Sequence, residues 1–203
     1  MTLTVPVLVG SRVRLEPLTG DHADGIVAAA AENRDTYDFT SVPHGRAAVD
    51  VYLREIAAGT AADETLAFAQ VTVADDSVVG VTRYLSLRFA PGREYPYAVE
   101  IGGTWLAASA QRTGINIEAK LLLLDYAFDV WGVGRVDFKT DARNERSRTA
   151  IEAIGATFEA VLRNWQPSHA TGEDGLLRDT AMFAIVAADW PDVRARLVAR
   201  FRR

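Results

Sequence analysis

The order of hydrophobic and polar positions predicts alternating strands and helices. Polar and apolar residues alternate over residues 12–18, which predicts a β-strand with one buried face. Six further strand-like runs follow at residues 65–73, 78–89, 98–106, 135–141, 156–165 and 179–188. The turn Asp75-Asp76-Ser77 predicts a tight hairpin between the second and third strands, and residues 90–96 predict a longer, mobile loop before the fourth.

Five stretches carry apolar residues at helical spacing, at residues 22–32, 45–58, 117–131, 143–155 and 192–202. Residues 19–21 are expected to cap the first helix, and Gly59 to end the second. The third helix is expected to end at Gly132 and Gly134. Its predicted apolar face consists of Leu121, Leu124, Phe128 and Trp131.

The resulting order is β-α-α-β-β-β-α-β-α-β-β-α, which is typical of an α/β fold with flanking helices. The helix over residues 117–131 joins two strands that must run parallel through a right-handed crossover. The other connections favour antiparallel pairs, so we predict a mixed, mostly antiparallel, twisted sheet. We find no repeat, linker or low-complexity tract, and we predict a single domain over residues 1–203.

The composition excludes several kinds of chemistry. The chain has 203 residues, 49% of them hydrophobic, and it contains no cysteine. A chain of this length can bury roughly 70% of the surface it exposes when unfolded. Cysteine nucleophiles, iron–sulfur clusters and zinc fingers are excluded, and the three histidines are too far apart in sequence to predict a metal site.

The net charge of −5 argues against a broad nucleic-acid surface but leaves room for a local basic pocket. Only Lys120 and Lys139 are lysines among the 22 basic residues, and we interpret the excess of arginine mainly as genomic base composition. Residues 1–10 lack the features of a signal peptide. Charged residues interrupt the apolar helix over residues 117–131, so we expect no membrane span and a cytoplasmic protein.

The segment over residues 100–116 is predicted to form a strand, a short turn and the start of a helix. Unpaired N–H groups and the positive end of the helix dipole at such a turn can bind phosphate oxygens. Gly114 permits close approach of the backbone, and Arg112 adds positive charge. A turn that merely caps a core helix would look the same, so both interpretations remain open at this point.

This segment resembles the acyl-CoA loop of the Gcn5-related N-acetyltransferases (GNAT), with the pattern Gln/Arg-x-x-Gly-x-Gly/Ala. Five residues fit it, namely Gln111, Arg112, Thr113, Gly114 and Ile115. Asn116 stands where the family has Gly or Ala. Residues 141–155 resemble the family's second motif, in which an Asn is followed three residues later by Ser or Ala. Residues 12–18, 100–102 and 178–180 resemble the RimJ/RimL-type branch, so the resemblance covers nearly the whole chain.

The resemblance implies a GNAT-like acyl-CoA acyltransferase fold, with acetyl-CoA as co-substrate and no metal. The implied activity is transfer of an acetyl group directly to a primary amine, either a protein N-terminus or a small molecule. The lack of cysteine agrees with direct transfer, because no enzyme thioester can form. The implied partners include an amine substrate and a second copy of the chain in a homodimer, but neither nucleic acid nor membrane.

Two residues are candidate catalytic groups by this resemblance. Glu100 lies eleven residues before Gln111, where some members carry a general base. Alternatively, it only hydrogen-bonds the sheet or orients the amine. The family often has a tyrosine acid seven residues after the motif's Asn, but Ile151 occupies that place. We therefore take Ser147 as the candidate proton donor, with water or a structural role for Ser147 as alternatives.

The resemblance also implies a set of donor-binding residues. They are Gly102, Gly103, Thr104, Gln111, Arg112, Thr113, Gly114, Ile115, Asn116, Asn144, Arg146 and Ser147. Asn144 has helix N-capping as an equally good role, and a bulge would also explain the two glycines. Lys139, Arg143 and Arg148 can join Arg146 and Arg112 in facing the phosphates, or form a solvated basic face.

Candidate residues for the acceptor come from the variable segments over residues 36–45 and 89–97 and from the third strand. They are Tyr37, His44 and Tyr84, with packing as the alternative role for the aromatic residues. Two other functions stay open. One is a non-catalytic acyl-CoA-binding or regulatory module, suggested by Asn116 and the missing tyrosine. The other is a protein-interaction domain that uses its sheet edge or the basic last helix.

Overall fold

Residues 3–201 fold around one mixed sheet of eight strands. A computed structural model describes residues 3–201. The strands are β1 (Leu8–Val9), β2 (Val13–Pro17), β3 (Thr65–Thr72), β4 (Val78–Arg88), β5 (Ala98–Leu106), β6 (Arg135–Asp141), β7 (Thr157–Pro167) and β8 (Leu177–Val186). Their order is β1-β2-β3-β4-β5-β6-β8-β7, and only β5 and β6 are parallel. The predicted mixed α/β fold with one parallel crossover is therefore confirmed.

Five helices flank the sheet: α1 (Ala23–Ala31), α2 (Gly45–Ala61), α3 (Ile115–Asp125), α4 (Glu145–Ala153) and α5 (Trp190–Phe201). The α2 face of the sheet is defined by Tyr52, which contacts side chains of β4 and β5. The α3 face is defined by the bond from the Tyr84 hydroxyl of β4 to the carbonyl of Leu123. Residues 1, 2, 202 and 203, which belong to the predicted domain and in part to the last predicted helix, lie outside the described residues.

The two parallel strands separate partway along their length. Their register runs from Ala98 opposite Arg135 to Glu100 opposite Asp137, and there it ends. Beyond this point β5 continues to pair with β4, and β6 continues to pair with β8. The part of β5 after Glu100 therefore borders a wedge that opens between β5 and β6. Buried backbone N–H and C=O groups need partners, so such a wedge suits a ligand with amide groups.

The third helix differs in two ways from its prediction. It begins at Ile115, and after Asp125 the chain continues as a wider π-helical turn over Tyr126–Val130. Leu121, expected in the core, is only partly buried, whereas Ala119, Leu123 and Ala127 are fully buried. Leu124, Phe128 and Trp131 are buried as predicted, so the predicted apolar face was wrong at Leu121 alone among its four residues.

Two smaller features also differ from the prediction. The two-residue strand β1 was missed because it has no periodicity to detect, and it is formed by pairing Leu8 with Leu15 and Val9 with Arg14. The second helix continues through Gly59 to Ala61.

Within residues 3–201, no helix has the length and apolar character needed to cross a membrane.

Candidate active site

The predicted phosphate loop joins β5 to α3 in a left-handed conformation. Gly114, the N-cap of α3, has φ +90°, and Arg112 has φ +63°. A β-carbon at Gly114 would be strained and would lie 3.2 Å from Nη1 of Arg12. That nitrogen donates to the Thr113 carbonyl at 2.7 Å. The strand–loop–helix geometry that the sequence predicted is therefore present, with Arg12 from the β1–β2 turn beside it.

Gln111 links this loop to both sides of the wedge. Its Nε2 donates to the carbonyl of Leu106 at 2.9 Å and to Oγ1 of Thr36 at 3.0 Å. Its Oε1 accepts from Nη2 of Arg146 at 2.7 Å. Gln111 and Arg146 were predicted separately, in two motifs, and the fold brings them into contact. The amide of Gln111 thus holds α4 against the loop that precedes α3.

The other residues of the second motif differ in whether their side chains have partners. Asn144 caps α4, because its Oδ1 accepts from the backbone N–H of Ser147 at 3.0 Å. The hydroxyl of Ser147 has no hydrogen-bond partner within residues 3–201, and the residue is partly buried. Arg143 pairs with Asp141 at 2.8 Å and with Glu173 at 2.6 Å.

Two members of the expected basic cluster at the second motif, Arg143 and Lys139, are paired with carboxylates. The hydrogen bond from Arg143 lowers the pKa of the Asp141 carboxyl, so this pair stays ionised. Arg148 lies over the ring of Phe158 at 5.5 Å from its centroid. Lys139 also has a carboxylate partner, described below. Of the cluster, Arg146 is the member that contacts the loop.

Glu100 lies at the closed end of the wedge and is 4% exposed. Lys139 of β6 places its ammonium nitrogen 2.9 Å from Oε2, and the hydroxyl of Ser86 donates to the same oxygen at 3.2 Å. Lys139 therefore serves this carboxylate and not the phosphate loop. The carboxylate has two partners on the α2 face, one from each neighbouring strand.

The two glycines after Glu100 form a bulge in β5. The register between β4 and β5 shifts between the pair Val81 and Trp105 and the pair Arg83 and Gly102. Gly103 has φ +56°, and a β-carbon there would lie 2.8 Å from Nε of Arg83. Glycine is thus required for both conformation and space. The bulge was one of two interpretations open from the sequence, and it lies in the part of β5 that borders the wedge.

A cleft of about 720 Å³ opens on the α2 face beside Glu100. Ser86 and Lys139, the two partners of Glu100, line it, as do Tyr52 and Arg83. Acidic side chains from the end of α2 and the following loop line its outer part, namely Glu55, Asp63 and Glu64. The cleft and the wedge therefore approach Glu100 from two directions.

The three candidate acceptor residues do not come together at this cleft. Tyr84 is fully buried on the α3 face, and burial raises the pKa of its hydroxyl well above the usual value. Tyr37 is buried, and its hydroxyl donates to the carbonyl of Leu106 at 2.8 Å. His44 is the exposed N-cap of α2. Of the two roles considered for Tyr84, acceptor binding and packing, its burial favours packing.

Two of the charged residues that interrupt the apolar pattern of α3, Glu118 and Lys120, are buried. Glu118 accepts from the backbone N–H groups of Ser11, Arg12 and Val13 at 2.6 to 3.0 Å and from the Ser11 hydroxyl. It therefore turns toward the β1–β2 turn and away from the phosphate loop. The sequence signal for such buried charges was the presence of charged residues within an otherwise apolar helix.

Lys120, the second of these residues, lies under the bulge of β5. Its nitrogen donates to Oγ1 of Thr82 at 3.1 Å and to Oγ1 of Thr104 at 2.5 Å, and those two hydroxyls are 2.8 Å apart. Burial lowers the pKa of Lys120 to about 7. Thr104, predicted to bind the donor, is thus hydrogen-bonded on the α3 face.

The arrangement fits an acyl-CoA by two independent features. The wedge offers strand backbone to amide groups, and the N-terminus of α3 offers N–H groups to phosphates. Oδ1 of Asn116, in the first turn of α3, is buried and has no partner within residues 3–201. A mixed sheet that opens at its parallel pair, with a glycine loop leading to a helix, is the architecture of the solved acetyltransferases that the chain resembles.

The chain belongs to the GNAT family, because the sequence model of the acetyltransferase (GNAT) domain matches residues 12–157. No curated protein sequence matches the chain. Among solved structures, a GCN5-related N-acetyltransferase from Brucella melitensis is 27% identical, with a TM-score of 0.85, and the match covers 99% of this chain and 87% of that one. A putative acetyltransferase from T. thermophilus is 30% identical, with a TM-score of 0.81, over 98% and 99% of the two chains.

The fold is also similar to that of RimJ from Mycobacterium smegmatis, solved in complex with CoA-disulfide. The identity is 21%, the TM-score is 0.76, and the match covers 96% of this chain and 92% of RimJ. At this identity the likeness concerns the fold. The family and the architecture predicted from the two motifs are thereby confirmed.

Proposed function

We propose that the protein is an acetyl-CoA-dependent N-acetyltransferase that moves an acetyl group directly to a primary amine. The observation that carries this proposal is the position of Glu100. It lies where the β5–β6 wedge closes and beside the 720 Å³ cleft on the α2 face. A donor held in the wedge and an amine in the cleft would therefore meet at this carboxylate.

The donor side is formed by the loop and the separated part of β5. The N–H groups of residues 113–116 and the guanidinium groups of Arg112 and Arg146 would hold the phosphates. The backbone of residues 102–104 would pair with the amides of the pantetheine arm. Acetyl-CoA supplies the acetyl group as a thioester. Binding at both ends orients that group and lowers the entropic cost of reaction.

The acceptor side requires a base for the amine and a proton for the departing sulfur. Glu100 would accept a proton from the amine directly or through a water molecule, with Lys139 and Ser86 fixing its orientation. The amine nitrogen then forms the bond to the acetyl carbon as the carbon–sulfur bond breaks. Ser147, whose hydroxyl has no partner in the described part of the chain, is our candidate donor of the sulfur's proton.

Acetyl-CoA is expected to protect the protein against thermal unfolding. At about 100 times its Kd, a ligand adds about 2.7 kcal/mol. For a chain of this size we expect Tm to rise by about 5–10 °C. Gly114→Val should remove most of this shift, because a β-branched residue at φ +90° is strained and would lie against Arg12. The measurement is a thermal melt at several acetyl-CoA concentrations.

Gly172→Val is the matched control for this experiment. Gly172 has φ +80° in the β7–β8 loop, and a β-carbon there meets no atom within 4 Å. The control should lose stability from strain and yet keep the full shift with acetyl-CoA. Absence of any shift in the wild-type protein at millimolar acetyl-CoA would refute the donor site. A shift without turnover of any amine would favour a non-catalytic acyl-CoA-binding module.

A further inference from the structure

One cation in the acceptor cleft lacks a carboxylate partner. Arg83 of β4 lines the cleft, and it forms no ion pair within 4.0 Å in the described part of the chain. Its Nη2 donates to the Tyr52 hydroxyl at 3.0 Å, and its guanidinium lies 5.0 Å from the centroid of the Tyr52 ring. Its Nε is buried without a hydrogen-bond partner. The guanidinium of Arg83 is therefore held in place, but no carboxylate of the described residues balances its charge.

The hydrogen bonds of Tyr52 show that this part of the cleft has donors but lacks an acceptor. The Tyr52 hydroxyl accepts from Arg83 and also from Nε1 of Trp105 at 3.2 Å. Guanidinium and indole nitrogens are donors only, so the hydroxyl oxygen is the acceptor in both bonds. The hydroxyl proton has no acceptor within residues 3–201. Arg83 and Tyr52 therefore present several donors to the cleft and need an acceptor-rich group.

Other cations on the same face of the sheet already have such groups. Lys139 pairs with Glu100, Arg143 with Asp141, and Arg88 with Asp137. Arg178 of β8, which is buried near Asp141 and Glu100, also forms no ion pair within 4.0 Å in the described residues, and its Nε has no hydrogen-bond partner there. Of these two arginines, Arg83 lines the cleft, so a ligand in the cleft can supply its carboxylate.

The position of Arg83 relative to Glu100 sets the shape of that ligand. Arg83 is opposite Gly102, and Leu85 is opposite Glu100. Arg83 and Glu100 are therefore two residues apart along the paired strands, and their side chains project from the same α2 face. Two residues along a strand correspond to about 7 Å. An amine at Glu100 and an anionic group at Arg83 can therefore belong to one small molecule.

We propose that the acceptor is a small amine that also carries a carboxylate, and that Arg83 and Tyr52 bind this carboxylate. This inference rests on the proposed function and names its substrate class. A carboxylate matches the guanidinium in charge and geometry. A phosphate dianion fits less well, because Glu55, Asp63 and Glu64 line the outer cleft and would repel it more strongly. A cleft with acidic groups at its rim and donors on its wall suits a zwitterion.

The test compares matched acceptors. L-amino acids, β-alanine and 4-aminobutyrate are each assayed beside their own carboxamide, with release of CoA thiol as the readout. At least one acid is expected to have a kcat/KM ten or more times that of its carboxamide. Carboxamides that react as well as every acid would overturn the carboxylate site and leave the acetyltransferase function standing. Acetyl-CoA protection with no turnover on either series would overturn the carboxylate-bearing acceptor, and turnover of any amine outside the two series would then leave the acetyltransferase function standing.

Two variants assign the effect to the residues. Arg83→Met should raise the KM for the preferred acid at least tenfold and change the KM for its carboxamide less than twofold. Tyr52→Phe keeps the ring under Arg83 and should raise the same KM about threefold to tenfold. Arg54→Met, at an exposed position of α2, is the matched control and should change neither. Equal losses on acid and carboxamide in both cleft variants would overturn the proposal.

Discussion

Replacing Glu100 with glutamine is expected to lower kcat on an accepted amine by about 100-fold or more, since general-base catalysis contributes about 10²–10⁴. The substitution keeps the shape of the side chain and removes its ability to take a proton. Ser86 can still donate to the amide oxygen, and Lys139, which is partly exposed, can reach solvent. The loss should therefore appear in kcat with little change in the Kd of acetyl-CoA.

The control is a second carboxylate of the same cleft. Glu64→Gln removes one charge from the outer wall and should change kcat less than threefold. Melting curves with and without acetyl-CoA show whether each variant is folded and still binds the donor. A fall in kcat of much less than tenfold for Glu100→Gln, with donor binding intact, would show that Glu100 only orients the amine.

Lys120→Met is expected to stabilise the protein at pH 6 and, at pH 9, to leave its stability unchanged or to lower it by up to about 2 kcal/mol. Burial lowers the pKa of Lys120 to about 7, from 10.5 in the unfolded chain. Below pH 7 both states carry the proton, so folding must bury a charge. Between pH 7 and 10.5 the unfolded chain binds the additional proton, and stability rises with pH. The full shift corresponds to about 5 kcal/mol.

Methionine removes this cost at low pH and keeps most of the side-chain volume. The hydroxyls of Thr82 and Thr104 remain bonded to each other at 2.8 Å, so neither is left without a partner. Allowing for the two lost bonds to Lys120, we expect a gain of about 1–3 kcal/mol at pH 6. That corresponds to roughly 2–10 °C in Tm.

The other lysine of the chain is the control. Lys139 is paired with Glu100, so Lys139→Met should destabilise the protein at both pH values by leaving a buried carboxylate with one partner fewer. Melting temperatures of the two variants and the wild type at pH 6 and pH 9 provide the comparison. If Lys120→Met changed Tm equally at the two pH values, Lys120 would not be the titrating group.

The sequence was sufficient for the elements that depend on local pattern. The bounds of β5 and β6 agree with the prediction to the residue, because alternating or continuous apolar runs and flanking turns define both. The loop over residues 111–114 was recognised from its order of residue types. The contact between Gln111 and Arg146 was not predicted, since they lie 35 residues apart and meet only when α4 packs beside the loop.

The parts of the site that escaped prediction depend on long-range partners. Arg83 had the same local pattern as other strand arginines, and only the folded sheet shows that Gly103 and Tyr52 surround it. Lys139 was a candidate for the phosphates or for a solvated basic face because it is near the second motif in sequence, but its ammonium group lies next to Glu100. Side-chain direction across a splayed sheet cannot be read from spacing alone.

The bond pattern of Glu118 has a consequence for cooperativity. Its carboxylate joins the first turn of α3 to backbone amides more than 100 residues earlier, so opening of the β1–β2 turn is coupled to opening of the start of α3. A ligand that stabilises the loop therefore also reduces how often the hydrogen bonds of the amides of residues 11–13 open. Their rates of hydrogen exchange report occupancy of a site that they do not touch.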